Sequence, residues 1–404
     1  MNVLLITDSY PPEIRSASLM MSELARGLAR NGHRVSVITS MPKYNLIEGQ
    51  FPSKELFSRS REDGIQVVRV QTPPLHNVSH LKRGFGQMVL PGIFSLAAFF
   101  MGRIDVSIVY SPPLPLGLTA YCLKVLKRAD YIFNVQDLFP QNAIDLQALK
   151  SLPLIRMFQV LEKFIYRRAR YITVHSPGNK ACIAGIGIPS EKIKVIHNWV
   201  DLSAFKTGEG GSPLRAGVDL RDKFVVLFAG VMSYAQDMDV IIEAARRLKK
   251  YSDIVFLLVG EGSQKGRLES RIRKFSLGNI ILHPFIPLSD YPALVARADV
   301  GLVTLKKSMR TPVVPSKILG YMAAGKPIIG SLNRESEAND IIRESGCGWS
   351  EEITGPGEMA QAVLRLYKDA ALKAEMGRKG REYVGRHFSL DGSLAAYEQL
   401  LQKM

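Results

Sequence analysis

Residues 314–327 read Val-Pro-Ser-Lys-Ile-Leu-Gly-Tyr-Met-Ala-Ala-Gly-Lys-Pro, a run that predicts a short helix with an abrupt start and stop. A proline and a serine precede good helix formers, and a glycine and a proline end the run, so we expect a helix over about 317–324 with Ser316 as its N-cap. The first amides of such a helix lack partners within it, and the helix dipole favours an anion there. The run therefore indicates a phosphate site.

Outward from this run, apolar segments alternate with amphipathic ones along the whole chain. The predicted strands are 3–6, 34–38, 65–70, 106–110, 131–135, 171–175, 194–196, 224–229, 254–259, 280–283, 300–303 and 327–329. The predicted helices are 18–31, 88–102, 115–128, 153–168, 237–249, 265–275, 291–297, 317–324, 357–368, 370–385 and 391–402. Strands that alternate with helices predict parallel sheets covered on both faces. The fold class is α/β, with two doubly wound, Rossmann-like domains.

The alternation lapses once, through the polar and glycine-rich residues 207–213, which we interpret as the connection between the domains. The expected limits are 1–200 and 201–385, and a last helix within 386–404 is expected to cross back to the first domain. In open α/β sheets, ligands bind beyond the carboxyl ends of the strands. A cleft between two facing sheets is therefore the expected active site.

Composition narrows the classes of partner. Of the 404 residues, 46% are hydrophobic and 22% are charged, and the net charge of +16 is concentrated in residues 1–200 (+11, against +5 for 201–404). A basic surface suits nucleic acid, an anionic membrane or a phosphorylated substrate. Nucleic acid is disfavoured because basic runs interleaved with aromatics, zinc spacings and helix-turn-helix signatures are absent from the sequence. Three scattered cysteines and a first segment that resembles a strand rather than a signal sequence predict a cytoplasmic protein.

A stretch without charge, residues 84–102, leaves two interpretations open. Gln87, Pro91 and the minimal length argue against a spanning helix. A buried helix packed on the sheet and an interfacial helix on a membrane surface both fit the pattern.

Two glycine-rich turns follow predicted strands of the second half, at residues 229–233 and 259–263. Glycine lets the backbone approach a ligand closely, which makes Gly230, Ser233, Glu261 and Gly262 candidates for the same sheet edge as the helix at 317. In the first half, Asp8 and Ser9 end the first strand and are candidates for an acceptor-facing role.

These motifs resemble the glycosyltransferases of family 4, which have the GT-B fold, over nearly the whole chain. The resemblance rests on the 314–327 run, both glycine-rich turns, Pro284-Phe-Ile-Pro287, and the stretch Leu294-Val-Ala-Arg-Ala-Asp-Val300. In the first half, Asp105-Val-Ser-Ile-Val-Tyr-Ser-Pro-Pro113, Val135-Gln-Asp-Leu-Phe-Pro140 and His197-Asn-Trp-Val-Asp201 are similar to a bacterial branch that builds surface polysaccharides. That branch includes transferases resembling the O-antigen N-acetyl-L-fucosamine transferases.

The resemblance implies roles for individual residues. The backbone of Phe285 and Ile286 would bind the base of a UDP-sugar, Gly230 would lie by the phosphates, and the amides of Ser316, Lys317 and Ile318 would hold the diphosphate. Residues 10–17, with Tyr10, Arg15 and Ser16, would lie on the acceptor side, and Gln136 and Asp137 would face the donor sugar. The family retains anomeric configuration, and the resemblance implies neither a metal nor a cofactor.

This chain also departs from the family pattern. The two family glutamates fall on Pro312 and Gly320, and the usual basic pair falls on Met232 and near Asp237. Lys317, Lys306, Lys307 or Arg310 would therefore have to neutralise the leaving diphosphate, and Lys317 is the first choice. Asp137 is the best candidate for the incoming hydroxyl or the sugar ring.

The expected function is transfer of an N-acetylated hexose from a UDP-sugar to a lipid-pyrophosphate-linked glycan of a bacterial surface polysaccharide, O-antigen or capsule. The basic first domain would meet the acceptor on the inner face of the plasma membrane. A UDP-sugar 2-epimerase and a non-catalytic UDP-sugar-binding scaffold are the alternatives.

Overall fold

The computed structural model describes residues 1–46, 54–75, 78–205, 214 and 218–404 of the chain. They divide into a first unit, Met1–Asn198 with Leu390–Met404, and a second unit, Trp199–Ser389. The predicted connection at 207–213 lies outside the described residues. Among the described residues, none of the helices combines the length and apolar character that crossing a bilayer demands.

The first unit contains an eight-stranded sheet in the order β3-β4-β2-β1-β5-β6-β7-β8. Its strands are β1 Asn2–Ile6, β2 Arg34–Ser40, β3 Phe57–Glu62, β4 Ile65–Val70, β5 Val106–Ser111, β6 Asp130–Val135, β7 Tyr171–Val174 and β8 Ile193–Val195. All neighbours pair in parallel except β3, which runs antiparallel to β4 at the sheet edge. Every residue of β5 is buried, as expected for a central strand with both faces covered.

The chain segments that connect these strands form helices, which cover the sheet. They are α1 Ser16–Arg30, α2 His80–Phe99, α3 Leu116–Lys127, α4 Gln141–Asp145, α5 Leu152–Arg168 and α6 Pro177–Gly185, with a 3-10 turn at Ser190–Lys192. The core of the unit includes Leu90 and Phe94 of α2, both fully buried, so one face of this helix packs on the sheet.

The second unit contains a six-stranded sheet, parallel throughout its described pairs, in the order β11-β10-β9-β12-β13-β14. Its strands are β9 Phe224–Ala229, β10 Ile254–Val259, β11 Ile280–His283, β12 Val300–Thr304, β13 Ile328–Ser331 and β14 Gly348–Trp349. Its helices are α7 Met238–Arg247, α8 Lys265–Lys274, α9 Tyr291–Ala296, α10 Lys317–Ala323, α11 Ala338–Ser345, α12 Pro356–Lys368 and α13 Ala370–His387, with 3-10 turns at Leu202–Phe205 and Leu288–Asp290.

The C-terminal helix, α14 Leu390–Leu401, belongs to the first unit and packs on α1. A Cβ atom added to Gly27 of α1 would lie 2.4 Å from the Leu394 side chain, so glycine permits this close approach. Glu398 accepts a hydrogen bond from Asn31 at 2.9 Å and lies 2.9 Å from the His33 ring nitrogen Nε2. Both contacts hold α14 against the end of α1.

The structure differs from the predicted elements at several places. The helix predicted at 88–102 begins eight residues earlier, and β3, α4, α6, α11 and β14 were not predicted. The alternating polar sequence of β3, Phe-Ser-Arg-Ser-Arg-Glu, lacks the apolar run of a central strand, which is why an edge strand was overlooked.

Candidate active site

At the carboxyl edge of the second sheet, the turns after β9 and β10 pack backbone against backbone. A Cβ atom on Gly260 would lie 2.0 Å from the Gly230 carbonyl oxygen, and one on Gly262 would lie 2.5 Å from the Met232 carbonyl oxygen. The φ angles of Gly230, Gly260 and Gly262 are +142°, +152° and +148°, values that side chains rarely allow. These glycines therefore let the two turns approach each other. The sequence pattern alone had suggested that they make room for a ligand.

Lys317 lies at the start of α10 and points to the first of these turns. Its Nζ atom is 3.8 Å from the centroid of the Phe228 ring and donates a hydrogen bond of 3.3 Å to Gln236 Oε1. None of the described carboxylates forms an ion pair with it. Withdrawal from water lowers the pKa of this ammonium group from 10.5 to about 7. An anion bound here would supply the missing negative charge.

The start of α10 differs in detail from the prediction. Ser316 occupies the N-cap position with φ −58° and ψ −26°, and its side chain makes no capping hydrogen bond to the helix. The amide of Ile318 donates to the Pro315 carbonyl at 3.2 Å within the turn, and its predicted phosphate contact stays a prediction. The diphosphate contacts of the Ser316 and Lys317 amides stay predictions.

Two tyrosines support α10 from within the second unit. The Tyr321 hydroxyl donates to the Leu227 carbonyl at 3.1 Å and accepts from the Ala229 amide at 3.0 Å, which ties the helix to the end of β9. A Cβ atom on Gly320 would lie 2.6 Å from the Tyr291 hydroxyl. Gly320 stands at the position of the family's second glutamate, and Tyr291 fills the space that a side chain there would occupy.

The remaining donor-side candidates lie along the same sheet edge. Ser233 is half-buried in the turn after β9, and Glu261 forms an ion pair of 2.5 Å with Lys265. Phe285 and Ile286 follow β11, with Phe285 half-buried and Ile286 buried. Their contacts with a base or sugar stay predictions.

At the carboxyl edge of the first sheet, the loop after β1 surrounds a small pocket of about 90 Å³. Asp8, only 6% exposed, accepts from Arg15 through Oδ2 at 3.0 Å, while its Oδ1 is buried with no hydrogen-bond partner. The buried hydroxyl of Ser40 also lacks a partner, and both residues line the pocket. Unsatisfied buried oxygens are costly, so this pocket is suited to a ligand with hydroxyl groups.

Glu13 holds this loop in place. Its Oε1 accepts from the backbone amides of Lys43 and Tyr44 at 2.8 and 3.1 Å, and its Oε2 accepts from the Ser9 hydroxyl at 2.8 Å. Burial raises the pKa of Glu13 against the lowering effect of these hydrogen bonds. The Lys43 ammonium donates to the Thr72 carbonyl on the opposite wall of the pocket.

The other acceptor-side candidates do not line this pocket. Ser9 is 1% exposed and its hydroxyl lies 2.6 Å from that of Ser18, so it belongs to the internal network of the loop. Tyr10 is also buried, and burial raises its pKa to about 12. Ser16 is exposed at the first residue of α1.

Asp137 follows β6 and reaches solvent, with Asn142 donating to its Oδ1 at 3.2 Å. Desolvation raises the pKa of Asp137, and the charge of Arg15 and the Asn142 hydrogen bond oppose this rise. Arg15 thus acts on Asp137 while it pairs with Asp8. Both carboxylates and this guanidinium form one charged cluster at the edge of the first sheet.

Gln136 is held within the first unit. Its Nε2 donates to Asn134 at 2.8 Å, and its Oε1 accepts from Asn198 at 2.8 Å. Asn134 in turn donates to the Tyr397 hydroxyl at 2.8 Å, which connects the network to α14. The side chain of Gln136 therefore fixes the end of β6, and its predicted role toward the donor sugar stays a prediction.

Comparison with protein families addresses the identity of the chain. Residues 17–199 match the family described as glycosyl transferase 4-like domain, and residues 215–383 match the family described as glycosyl transferases group 1. The two matches leave little of the chain uncovered. The chain belongs to the family 4 glycosyltransferases of GT-B fold.

One relative of this glycosyltransferase matches nearly its whole length and another matches about two thirds of it. The Escherichia coli (strain K12) protein WcaI, assigned to colanic acid biosynthesis, is 26% identical over 423 residues, which cover 98% of each chain. The Pseudomonas aeruginosa glycosyltransferase WbjE is 26% identical over 286 residues, or 70% of this chain and 71% of its own.

Solved structures agree in fold. Sucrose-phosphate synthase from Thermosynechococcus elongatus matches 100% of this chain and 98% of its own with a TM-score of 0.78 at 17% identity. Anabaena HepE, solved in complex with UDP-glucose, matches 100% of both chains with a TM-score of 0.73 at 18% identity. The prediction of two Rossmann-like α/β domains is confirmed.

Sequence reasoning overlooked several residues of the candidate site in this glycosyltransferase. Glu13, Ser40 and Lys43 of the first unit, and Tyr291 and Gln236 of the second, carry no motif of their own. Each becomes informative only through its contacts. The sequence offered one further indication of a supporting residue. Tyr321 lies four residues after Lys317, and this spacing places both side chains on the same face of the helix.

Proposed function

We propose that this glycosyltransferase transfers an N-acetylated hexose from a UDP-sugar to a lipid-pyrophosphate-linked glycan of a bacterial surface polysaccharide, with retention of anomeric configuration. The observation that carries the proposal is Lys317, a cation without a carboxylate partner among the described residues, which lies beside the glycine turns of the second sheet. When the bond between the sugar and UDP breaks, negative charge develops on the departing diphosphate, and positive charge and hydrogen-bond donors stabilise it.

On the donor side, Lys317 and the amides of Ser316 and Lys317 would bind the diphosphate. The backbone at Phe285 and Ile286 would bind the base, as the family resemblance implies. That Anabaena HepE was solved with UDP-glucose supports a UDP-linked donor, since the two chains share the fold over their full length.

On the acceptor side, the pocket after β1 would receive a hydroxylated sugar. Asp137 would accept the proton of the incoming hydroxyl, because a carboxylate with a raised pKa is a better base than an ordinary one. Asp8 would hold a neighbouring hydroxyl through its buried Oδ1, while Arg15 fixes its other oxygen.

The polysaccharide setting is supported by the relatives, since WcaI is assigned to colanic acid biosynthesis. The O-antigen branch and a capsule are finer versions of the same proposal. A position on the inner face of the plasma membrane is supported by α2, whose side chains Phe85, Met88 and Phe99 are 70%, 40% and 55% exposed. Lys82 and Arg103 flank this apolar face with positive charge.

The test is a transfer assay with the full chain, UDP-N-acetylhexoses and a lipid-pyrophosphate-linked glycan in vesicles. The proposal predicts UDP release that depends on the acceptor, and a product whose anomeric configuration matches that of the donor by NMR. Conversion of the donor to its 2-epimer without acceptor would instead identify an epimerase. Binding of UDP without turnover of any donor would identify a scaffold, and either result would overturn the proposal.

A further inference from the structure

An apolar groove of about 420 Å³ lies in the first unit between α2 and the β3–β4 hairpin. One wall is a helical face with the spacing i, i+3, i+4 and i+7, formed by Ile93, Leu96, Ala97 and Phe100. The facing wall comes from one side of the hairpin, where Phe57 pairs with Val70 and Arg59 pairs with Val68. The volume lies within the range of about 300–1,000 Å³ that is typical of ligand pockets.

The groove leaves large apolar side chains in contact with water. Leu56 is 80% exposed, Leu96 is 65% exposed and Phe100 is 78% exposed, and all three line it. Contiguous exposed apolar surface of this kind marks a binding site on a folded protein. The groove is recessed, so it would accept a single chain rather than the flat surface of a bilayer.

Positive charge lies on the same side of the hairpin. Arg59 lines the groove and Arg61 follows two residues later on the same face of β3, and both are exposed. Neither forms an ion pair with a carboxylate in the part of the chain that the structure describes. Among the described residues, Arg61 donates only to the Gly64 carbonyl, at 3.3 Å, so both side chains keep an uncompensated positive charge. That charge attracts an amphiphile with an anionic head to the apolar channel.

The groove and the acceptor pocket share one segment of chain. Val70 and Gln71 line the groove, while Thr72 and the residues up to Leu75 line the pocket after β1. Gln71 and Thr72 are consecutive, so their Cα atoms are about 3.8 Å apart. The Gln71 side-chain oxygen is buried without a hydrogen-bond partner. A molecule with its head in the pocket could thus place its tail in the groove.

We propose that this groove binds the hydrocarbon chain of the phosphorylated lipid that carries the acceptor glycan. The inference rests on the proposed function, because it assigns a place to the lipid part of that acceptor. The hydrocarbon chain lies between α2 and the hairpin, and the glycan enters the pocket lined by Asp8. The phosphates then lie where groove and pocket meet, near Phe57 and Gln71.

The experiment measures binding of geranylgeranyl diphosphate to the full chain by calorimetry, with inorganic diphosphate as the headgroup control. The lipid is expected to bind at least tenfold more tightly than inorganic diphosphate. Ala97→Phe, which fills the groove, is expected to remove that difference. Phe85→Ser, on the exposed face of the same helix but outside the groove, is expected to keep it.

Each variant is also titrated with UDP, which the proposed function assigns to the other unit, so that retained UDP binding reports a folded chain. Leu96→Ser, at a largely exposed position, is a second groove variant should Ala97→Phe fail this check, and it is expected to weaken lipid binding severalfold. Equal affinities for the lipid and inorganic diphosphate would overturn the inference, as would equal losses in Ala97→Phe and Phe85→Ser. Failure of the wild-type chain to bind UDP would instead count against the proposed function and leave the lipid result to be judged on its own.

Discussion

Lys317 is a half-buried cation without a carboxylate partner among the described residues. The ammonium group lies over the Phe228 ring, which offers a weak attraction but no compensating negative charge. Its lowered pKa of about 7 is the measure of that missing partner. Such perturbed groups concentrate at functional sites.

Asp137 and Asp8 are expected to differ in their effect on catalysis. Asp137→Asn should lower kcat by about 10²–10⁴-fold, because it removes the proposed base. Asp8→Asn should mainly raise the KM for the acceptor, since Asp8 is already paired with Arg15. Steady-state kinetics with varied acceptor separate the two effects, and UDP affinity is the control for both variants.

The acid limb of the kcat profile should lie above pH 3.8, since the pKa of Asp137 is raised from that value and protonation removes the base. Activity is therefore expected to fall as the pH drops toward this pKa.

An equal loss of kcat in Asp137→Asn and Asp8→Asn would contradict the division of roles between the two carboxylates.

Gly320 is expected to resist the glutamate that relatives carry at its position. Gly320→Glu should destabilise the protein by about 1–3 kcal/mol, because its Cβ would overlap the Tyr291 hydroxyl. In a Tyr291→Ala background the same change should cost clearly less, and urea unfolding of the four variants measures the difference. Equal costs in the two backgrounds would show that Tyr291 does not fill this space.

At the scale of elements, the paired glycine turns of the second sheet give a sharp prediction. Gly260→Ala should lower the free energy of unfolding by roughly 2–4 kcal/mol, because the new Cβ would meet the Gly230 carbonyl oxygen at a strained φ. Gly266→Ala on α8 is the matched control. No atom lies within 4 Å of its Cβ position, so this change should stabilise the helix by about 0.5–1 kcal/mol.

Chemical unfolding monitored by circular dichroism distinguishes these two alanine variants. A Gly260→Ala protein as stable as the wild type would mean that the two turns lie further apart than described. UDP affinity should fall in Gly260→Ala as well, since the turn that it displaces is the one beside Lys317.

Elements differ in how far the sequence could predict them. Phe224–Ala229 and Ile254–Val259 fall on their predicted limits because continuous apolar runs end there at glycine. The start of α2 was missed because its first turn is polar, and its cap, the Ser79 hydroxyl that accepts from the Lys82 amide at 3.5 Å, gives a weak signal. The groove beside α2 could not be predicted at all, because its second wall is an edge hairpin without an apolar run.

For the whole molecule, the family motifs located Lys317 and the glycine turns but could not supply the contacts around them. Phe228, Gln236 and Tyr291 reach Lys317 and Gly320 from other parts of the second unit, so only packing reveals them. The same holds for Asp8, whose importance rests on a buried oxygen without a partner. The positive charge of residues 1–200 fits the proposed anionic acceptor, since that half of the chain carries the proposed acceptor pocket and the groove.

The most direct test of the central claim is calorimetric titration of UDP-glucose into the wild-type chain and Lys317→Met at pH 6 to 9. The wild-type affinity should fall as the pH rises above about 7, because Lys317 must then take up a proton to meet the diphosphate. Lys317→Met should bind about 10-fold to 100-fold more weakly at pH 6, without this pH dependence, as expected for a lost charge-assisted hydrogen bond. Lys306→Met, an exposed lysine of the preceding loop, should behave as wild type. Unchanged affinity in Lys317→Met would contradict the account.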